Sequence, residues 1–344
     1  MNARRRTLVG LTALALTLGA CSSQPESAEP AGQADAVQQV TVSEVIRSVF
    51  YAPLYVADGA GIFDDHGLDV TIETANGSDK VTAALISGQA DVGLLGPEAA
   101  IFLHNQNSAR KVVVLHQLTQ RDGSFLVGRD AVSDFTMDDV AGKSIIGWRP
   151  GSMPQLVMNS LIQSSDVKPA EYVTNIQAPA MAGAFTSGQG DIIQVFEPVA
   201  TTLAKSTGAH VLASVGQLAD PFPYTVFGAT DKIVKDDPKR LAAFSAAMSE
   251  ATAFVLEKPA AEVAAALATY FPDTSAELLA SAIERYRDAD VWAEQPAVDR
   301  KQFERLQDIM VDGGVLEAKQ RVGYDDVVTT SVVDAARDLA GKKS

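Results

Sequence analysis

An α/β fold of two Rossmann-like lobes, joined by two crossing strands and followed by C-terminal helices, is what this sequence predicts, and two observations carry it. The first is an internal repeat. Ser87-Gly88-Gln89-Ala90-Asp91-Val92, ahead of Gly96-Pro97-Glu98, returns as Ser187-Gly188-Gln189-Gly190-Asp191-Ile192 ahead of Phe196-Glu197-Pro198. In each copy an apolar-periodic helix ends at Ser-Gly, where glycine takes a left-handed cap, and a short strand follows the Asp. A Pro/Glu pair then starts another helix, Pro suiting the first turn and Glu opposing the positive end of the dipole. The second observation is length: 344 residues exceed one usual hydrophobic core and suit two. Two such lobes leave a cleft between them, and clefts at domain interfaces and at the carboxyl ends of strands are where small ligands bind.

Read in order, the chain opens with a leader. Arg4-Arg5-Arg6 is a positive n-region, Leu8 to Leu18 is an apolar run too short to span a bilayer, and Leu18-Gly19-Ala20-Cys21 supplies small residues for cleavage. The pattern predicts a lipoprotein signal over residues 1–20, with Cys21 as the mature N-terminus carrying lipid on its sulfur; the alternative is an ordinary secretory signal with a chance cysteine. One acyl chain anchors only marginally, whereas two or three hold firmly. Residues 21–38, built mostly of Ser, Gln, Pro, Glu, Ala and Gly, show no apolar periodicity. They read as a flexible tether with a reach of roughly 23 Å.

The first lobe is expected over residues 39–126 and 228–344, the second over 129–223. In the first, Val40–Ile46 reads as a strand, Tyr51-Ala52-Pro53 opens a helix ending near Gly59–Gly61, and Leu68–Ile72 alternates as a strand. A helix runs into Ser87-Gly88, Val92–Leu95 is a strand, a helix starts at Pro97, and Val112–Leu118 is a strand. The second series has the same order: Ser144–Trp148, a turn at Arg149-Pro150-Gly151-Ser152, a helix, Tyr172–Ile176, a helix to Ser187-Gly188, Ile192–Phe196, a helix from Pro198, and His210–Ala213. Leu126–Arg129 and Tyr224–Gly228 are strand-like runs where the chain passes between lobes, and two such crossings make a hinge. Beyond Asp231 the pattern is helical: a first helix with Leu241, Phe244 and Met248 on one side, then helices at about Ala260–Tyr270, Ala276–Tyr286 and Val298–Met310, and one after Tyr324. These are expected to pack mostly on the first lobe.

The formal net charge of −15 repels nucleic acid and anionic headgroups, so no nucleic-acid partner is expected. A lone cysteine permits no internal disulfide. His66, His104, His116 and His210 are scattered without ligand spacing, and no metal is expected. Gly-x-Gly-x-x-Gly, phosphate-loop, Gly-x-Ser-x-Gly and His-Glu-x-x-His patterns are absent, so neither a cofactor nor a catalytic residue is assigned.

Tyr51-Ala52-Pro53-Leu54-Tyr55-Val56-Ala57, Gly61-Ile62-Phe63, Gly67-Leu68-Asp69-Val70 and Ser87-Gly88-Gln89-Ala90-Asp91-Val92-Gly93 together closely resemble the solute-binding proteins of importers for nitrate, alkane sulfonates, taurine and thiamine-pyrimidine precursors. The resemblance covers roughly residues 40–260. It implies the type II periplasmic-binding-protein fold, a small-molecule ligand trapped by hinge closure, and delivery to an ABC permease with its ATPase. Such a protein works as a monomer on the outer face of the membrane, held by its lipid. Ligand residues vary most among members, so the resemblance does not identify the ligand. Pyrimidine synthases of the same fold are the enzyme alternative, but they carry a cysteine-rich motif and no export signal. A lipid-anchored sensor is a third class.

In this fold the ligand meets the loops leaving the strands. That places Ser48, Phe50 and Tyr51 after the first strand, Gly96 and Glu98 after the repeated strand, Trp148, Arg149, Gly151 and Ser152 at the start of the second lobe, Gln194, Phe196 and Glu197 in the second repeat, and Tyr224 at the hinge. Phe50, Tyr51, Trp148 and Phe196 offer flat faces for a planar ring, worth about 0.5–1.5 kcal/mol per aromatic pair beyond area burial; aromatic residues beside strands are also ordinary core. If Glu98 and Glu197 face the cleft, they favour a ligand bearing amino or protonatable ring nitrogens over a bare anion. If each only opposes its own helix dipole, they carry no ligand information. Arg149 and the Gly151-Ser152 turn pull the other way, toward a carboxylate, sulfonate or phosphate, unless Ser152 is simply a helix cap. A polar, nitrogen-bearing heteroaromatic ligand satisfies more of these features, with an alkane sulfonate or nitrate-type anion as the alternative.

Replacing Cys21 by Ser is expected to release soluble or unprocessed protein. Fractionation with metabolic lipid labelling checks this, since retention with label intact contradicts lipidation at Cys21.

Overall fold

A computed structural model describes residues Val37–Lys343; the leader, Cys21 and nearly all of the tether lie outside the described residues. Ten strands form two sheets. They are β1 (Gln38–Glu44), β2 (Leu68–Thr74), β3 (Val92–Leu95), β4 (Val112–Thr119), β5 (Phe125–Gly128), β6 (Ser144–Ile146), β7 (Glu171–Val173), β8 (Ile192–Val195), β9 (His210–Ser214) and β10 (Thr225–Thr230). The sheet orders are β2-β1-β3-β10-β4 and β7-β6-β8-β5-β9. In each, the first three strands run parallel and one inserted strand, β10 or β5, runs antiparallel to its neighbours. The two lobes therefore share one topology, the α/β architecture expected.

The repeated segment does the same work in both lobes. Gly88 (φ 79°) and Gly188 (φ 100°) take positive φ at the helix ends, and the N–H groups of Gln89 and Gln189 close the turns on the carbonyls of Ala84 and Ala184. Asp91 then accepts the Thr41 N–H of β1 at 2.9 Å, and Asp191 accepts the Ser144 N–H of β6 at 2.8 Å. One carboxylate thus fixes the first strand of its lobe beside the third. Gly93 is small because the helix Ser78–Ser87 packs close: a Cβ there would sit 2.8 Å from side-chain atoms of Val81 and Leu85.

The two strand-like runs form and insert into the sheet of the lobe they enter, which satisfies backbone groups on both their edges. The passage between lobes is the short connection ahead of each, residues 120–124 and 219–224. Of the C-terminal helices, Pro238–Glu257 packs on Ala52–Gly59 and on Ser331–Lys343, in the first lobe. Ala276–Asp288 and Arg300–Asp312 also reach the second: Arg300–Asp312 packs on Met153–Ser164, and Arg305 pairs with Asp220. Among the described residues no helix is long and apolar enough to cross a membrane.

Behind the cleft the lobes meet in buried aromatic rings. Phe50 packs against Tyr51, Phe196, Tyr224 and Tyr286 at centroid separations of 5.4–5.6 Å, and the Trp292 indole N–H donates to the Phe50 carbonyl at 3.0 Å. Gly123 in the first crossing lies flat on the Phe50 ring, where any Cβ would overlap it. Phe50→Ala is expected to cost about 3–5 kcal/mol, the usual range for emptying a buried phenylalanine site. Urea denaturation checks it, as a lowered midpoint.

Candidate functional site

A cavity of about 270 Å³ opens between the lobes. Ser78, Glu98, Met153 and Ala178, the first residues of four helices, all line it. These helices follow parallel strands, so their N-termini converge where the sheets end. Two of them lose an N–H at the second position, to Pro154 and Pro179, which weakens the first turn as an anion cradle.

The cavity walls carry Tyr51, Trp148, Phe196 and Tyr224. Trp148 is half-buried and stands edge-on to Phe196 at 5.2 Å, its indole N–H donating to the Gln194 carbonyl at 3.0 Å. Gln194 is itself fixed, its amide donating to Ser124 Oγ at 2.8 Å and to the Pro154 carbonyl at 3.0 Å. It therefore positions Trp148 instead of meeting a ligand. Burial pushes the phenols of both Tyr51 and Tyr224 upward. Tyr224 lies near enough to Asp122 for each to shift the other, and its phenol oxygen has no hydrogen-bond partner. Asp122, wholly buried and holding the Ser124 N–H at 2.6 Å, is pushed up to about 7 by desolvation.

Glu98 is the unusual group. Its carboxyl folds back over Gly96, where any Cβ would overlap it. Glu98 is 3% exposed and its Oε2 has no hydrogen-bond partner. Burial pushes this carboxyl up to about 8, against a lesser opposing effect of its own backbone N–H. At neutral pH it is mostly the uncharged acid, buried in the wall of an aromatic cavity with one oxygen unsatisfied.

Glu197 occupies the corresponding place in the second repeat and has the opposite surroundings. It accepts the Thr201 N–H at 3.0 Å and hydroxyl at 2.8 Å, and pairs with Arg285 at 2.9 Å. Its backbone N–H donates to the Tyr286 hydroxyl and its carbonyl accepts from Ser48 Oγ. Glu197 thus opposes its helix dipole and ties the lobes together, and does not line the cavity; neither do Ser48 and Phe50, which lie behind the cleft in the same interlobe packing. Arg149 reaches the rim, where it bonds Asp79 of the first lobe at 2.7 Å across the mouth. The following turn is spent internally: Ser152 Oγ donates to the Arg149 carbonyl at 2.7 Å, and the Gly151 N–H donates to Gln155 Oε1 at 3.1 Å. Ser152 borders the cavity, while Gly151 lines an adjoining one.

Sequence reasoning missed Asn76, Gly77, Ser78 and Lys80, and their counterparts Ile176, Gln177 and Pro179. The signal was present in the repeat: both groups follow the second strand of a lobe, where the chain must again emerge at the cleft. Among the described residues no group of His, Cys, Asp and Glu is placed to hold a metal.

A family model described as NMT1/THI5 like matches residues 49–262. YtlA of Bacillus subtilis (strain 168), named as a candidate binding protein, is 33% identical over 329 residues, 95% of each chain. The structure superposes on the periplasmic nitrate-binding protein NrtA from Synechocystis PCC 6803 with a TM-score of 0.69 at 15% identity, over 89% of both chains. It superposes on the alkanesulfonate-binding protein SsuA from Xanthomonas axonopodis pv. citri, bound to MOPS, with a TM-score of 0.68 at 15% identity, over 86% of this chain and all of that one. At those identities the likeness is one of fold, and the fold is that of the periplasmic binding proteins.

The Glu98 environment has a pH signature. Between the ordinary carboxyl value of 4.5 and about 8, the folded protein keeps a proton that the unfolded chain has lost, so this group makes stability fall as pH rises through that window. Glu98→Gln removes the effect. The variant is expected to melt higher than wild type at pH 8, with the difference vanishing near pH 4; paired thermal melts across this range check it.

Proposed function

This chain belongs to the NMT1/THI5-like family, and on that premise we propose that it is a solute-binding protein that delivers a small, polar, nitrogen-bearing heteroaromatic ligand to an ABC importer. It works outside the cytoplasm, anchored by lipid on Cys21, and acts by binding and release without catalysis. Support comes from the relatives, which are binding proteins by name, and from the cavity, which holds stacking faces and unpartnered polar atoms but no nucleophile paired with a base.

The observation that carries the ligand class is the unpartnered Oε2 of Glu98. As an acid it donates one hydrogen bond; once ionised it accepts instead. A ring nitrogen beside an exocyclic amino group offers both complements, so the pair is satisfied wherever its proton sits. Tyr51, Trp148 and Phe196 then cover the faces of the ring. A bare sulfonate or nitrate meets a buried acid that must stay protonated, and an Arg149 already paired with Asp79. The four converging helix N-termini and the exposed Lys80 favour that second reading.

Calorimetric titration with an aminopyrimidine, and separately with an alkane sulfonate, distinguishes the two. Micromolar aminopyrimidine binding is expected, about −8 kcal/mol. Glu98→Ala should weaken it about tenfold to a hundredfold, the effect of leaving a buried polar group of the ligand unsatisfied, while Glu98→Gln, which still donates and accepts, retains most of it. Affinity should hold up to about pH 8 and fall above, as the acid of the free protein ionises. Binding of the sulfonate alone, lost in Arg149→Ala and intact in Glu98→Ala, reverses the assignment.

A further inference from the structure

We propose that Asp122 is a positioning residue for the cavity: acting through Ser124 and Gln194, it fixes the Trp148 ring and the start of the helix Met153–Ser164, and so anchors the aromatic wall of the second lobe on the first crossing. The inference rests on the reading of Trp148 as a face that covers the ligand. It adds the group that holds that face in place.

Asp122 lies in the crossing 120–124, is wholly buried and does not touch the cavity. Its Oδ1 accepts both the backbone N–H of Ser124 at 2.6 Å and the hydroxyl at 2.5 Å. The hydroxyl proton is thereby committed, and a serine oxygen whose proton is committed can only accept. The Gln194 side-chain amide donates to it at 2.8 Å. Asp122 therefore decides which end of the Gln194 amide faces the crossing, although the two residues do not touch through a hydrogen bond of their own.

That choice reaches the cavity by three routes. The same Gln194 nitrogen donates to the Pro154 carbonyl at 3.0 Å, in the first turn of the helix that lines the cavity with Met153 and Pro154. The Gln194 backbone carbonyl accepts the Trp148 indole N–H at 3.0 Å. Its side-chain oxygen is left for the Tyr172 hydroxyl at 3.5 Å, and the Tyr172 ring lies against Gly147, just before Trp148, where any Cβ would overlap it. With the amide reversed, an oxygen would face the Pro154 carbonyl and a nitrogen would replace the acceptor that Tyr172 now meets. All three contacts depend on one orientation, and the buried carboxyl at the crossing sets it.

Fluorine NMR of ligand-free protein made with fluorotryptophan tests this, because the chain has two tryptophans, Trp148 and Trp292, and Trp148→Phe assigns their signals. Trp292 is buried and its carbonyl accepts from Gln120 of the same crossing at 3.4 Å, so it reports any general disturbance there. Asp122→Ala and Ser124→Ala are each expected to shift or broaden the Trp148 signal and to leave that of Trp292 in place; a folding defect in one variant leaves the other to decide. Asp122→Asn, whose side-chain oxygen still accepts from Ser124, is expected to restore the wild-type Trp148 signal. Aminopyrimidine affinity, measured by calorimetry, should fall about threefold to tenfold in the alanine variants, the effect of roughly one hydrogen bond, and return in Asp122→Asn. An unmoved Trp148 signal in folded Ser124→Ala, equal movement of both tryptophan signals, or an Asp122→Asn signal no different from that of Asp122→Ala overturns the positioning role. If the Trp148 signal behaves as expected and aminopyrimidine binds none of these proteins, the positioning role stands and the ring reading of the cavity falls.

Discussion

The packing around Phe50 is the constraint on which the rest of this structure depends. Its ring belongs to the first lobe, yet it rests on Phe196 of the second, on Tyr224 at a crossing and on Tyr286 of a C-terminal helix, with Gly123 flat against it. Everything behind the cleft is thereby dry and closely packed, and everything in front is open. Gly123 and Tyr224 bring both crossings into this cluster. Polar struts complete it: Glu197 takes hydrogen bonds from Thr201, an ion pair from Arg285 and backbone bonds to Tyr286 and Ser48. These contacts join the two lobes behind the cleft.

At the mouth the lobes are held differently. Arg149 and Asp79 are half-exposed and exposed, and such pairs contribute about 0–1 kcal/mol once solvent screens them. That is far less than the buried packing behind the cleft contributes. Beside the cavity Glu98 Oε2, Ser78 Oγ and the Tyr224 hydroxyl are buried without partners, and each such atom costs on the order of 1–3 kcal/mol.

Glu98 and Glu197 show how a duplicated element diverges by its surroundings. Both begin near the start of a helix after the third strand of a lobe. Glu197 found Thr201 and Arg285 within reach and became a joint. Glu98 has Gly96 beneath it and aromatic rings around it, so its carboxyl is desolvated, raised and left without a partner. A structural carboxylate and a buried, unpartnered carboxyl on the cavity wall thus arise from one sequence pattern.

Much of the fold was written locally. The Ser-Gly-Gln-x-Asp repeat defined a helix end, a strand start and the carboxylate that pins β1 or β6, because cap conformation and hydrophobic period depend on near neighbours. β3 is matched residue for residue, and Val112, Ser144, Ile192 and His210 each start a strand where expected. The site was legible only as a set of loops. Tyr51, Glu98, Trp148, Phe196 and Tyr224 reach the cavity, while Phe50, Ser48, Gln194 and Glu197, adjacent to them in sequence, turn behind it. No local signal separates the two groups, since which side of a loop faces the cleft depends on contacts such as Gly123 on Phe50 and Arg285 on Glu197, between residues far apart in the chain. The extension of the C-terminal helices onto the second lobe has the same origin: their periodicity shows that one face is apolar, and only the assembled lobes decide what that face covers.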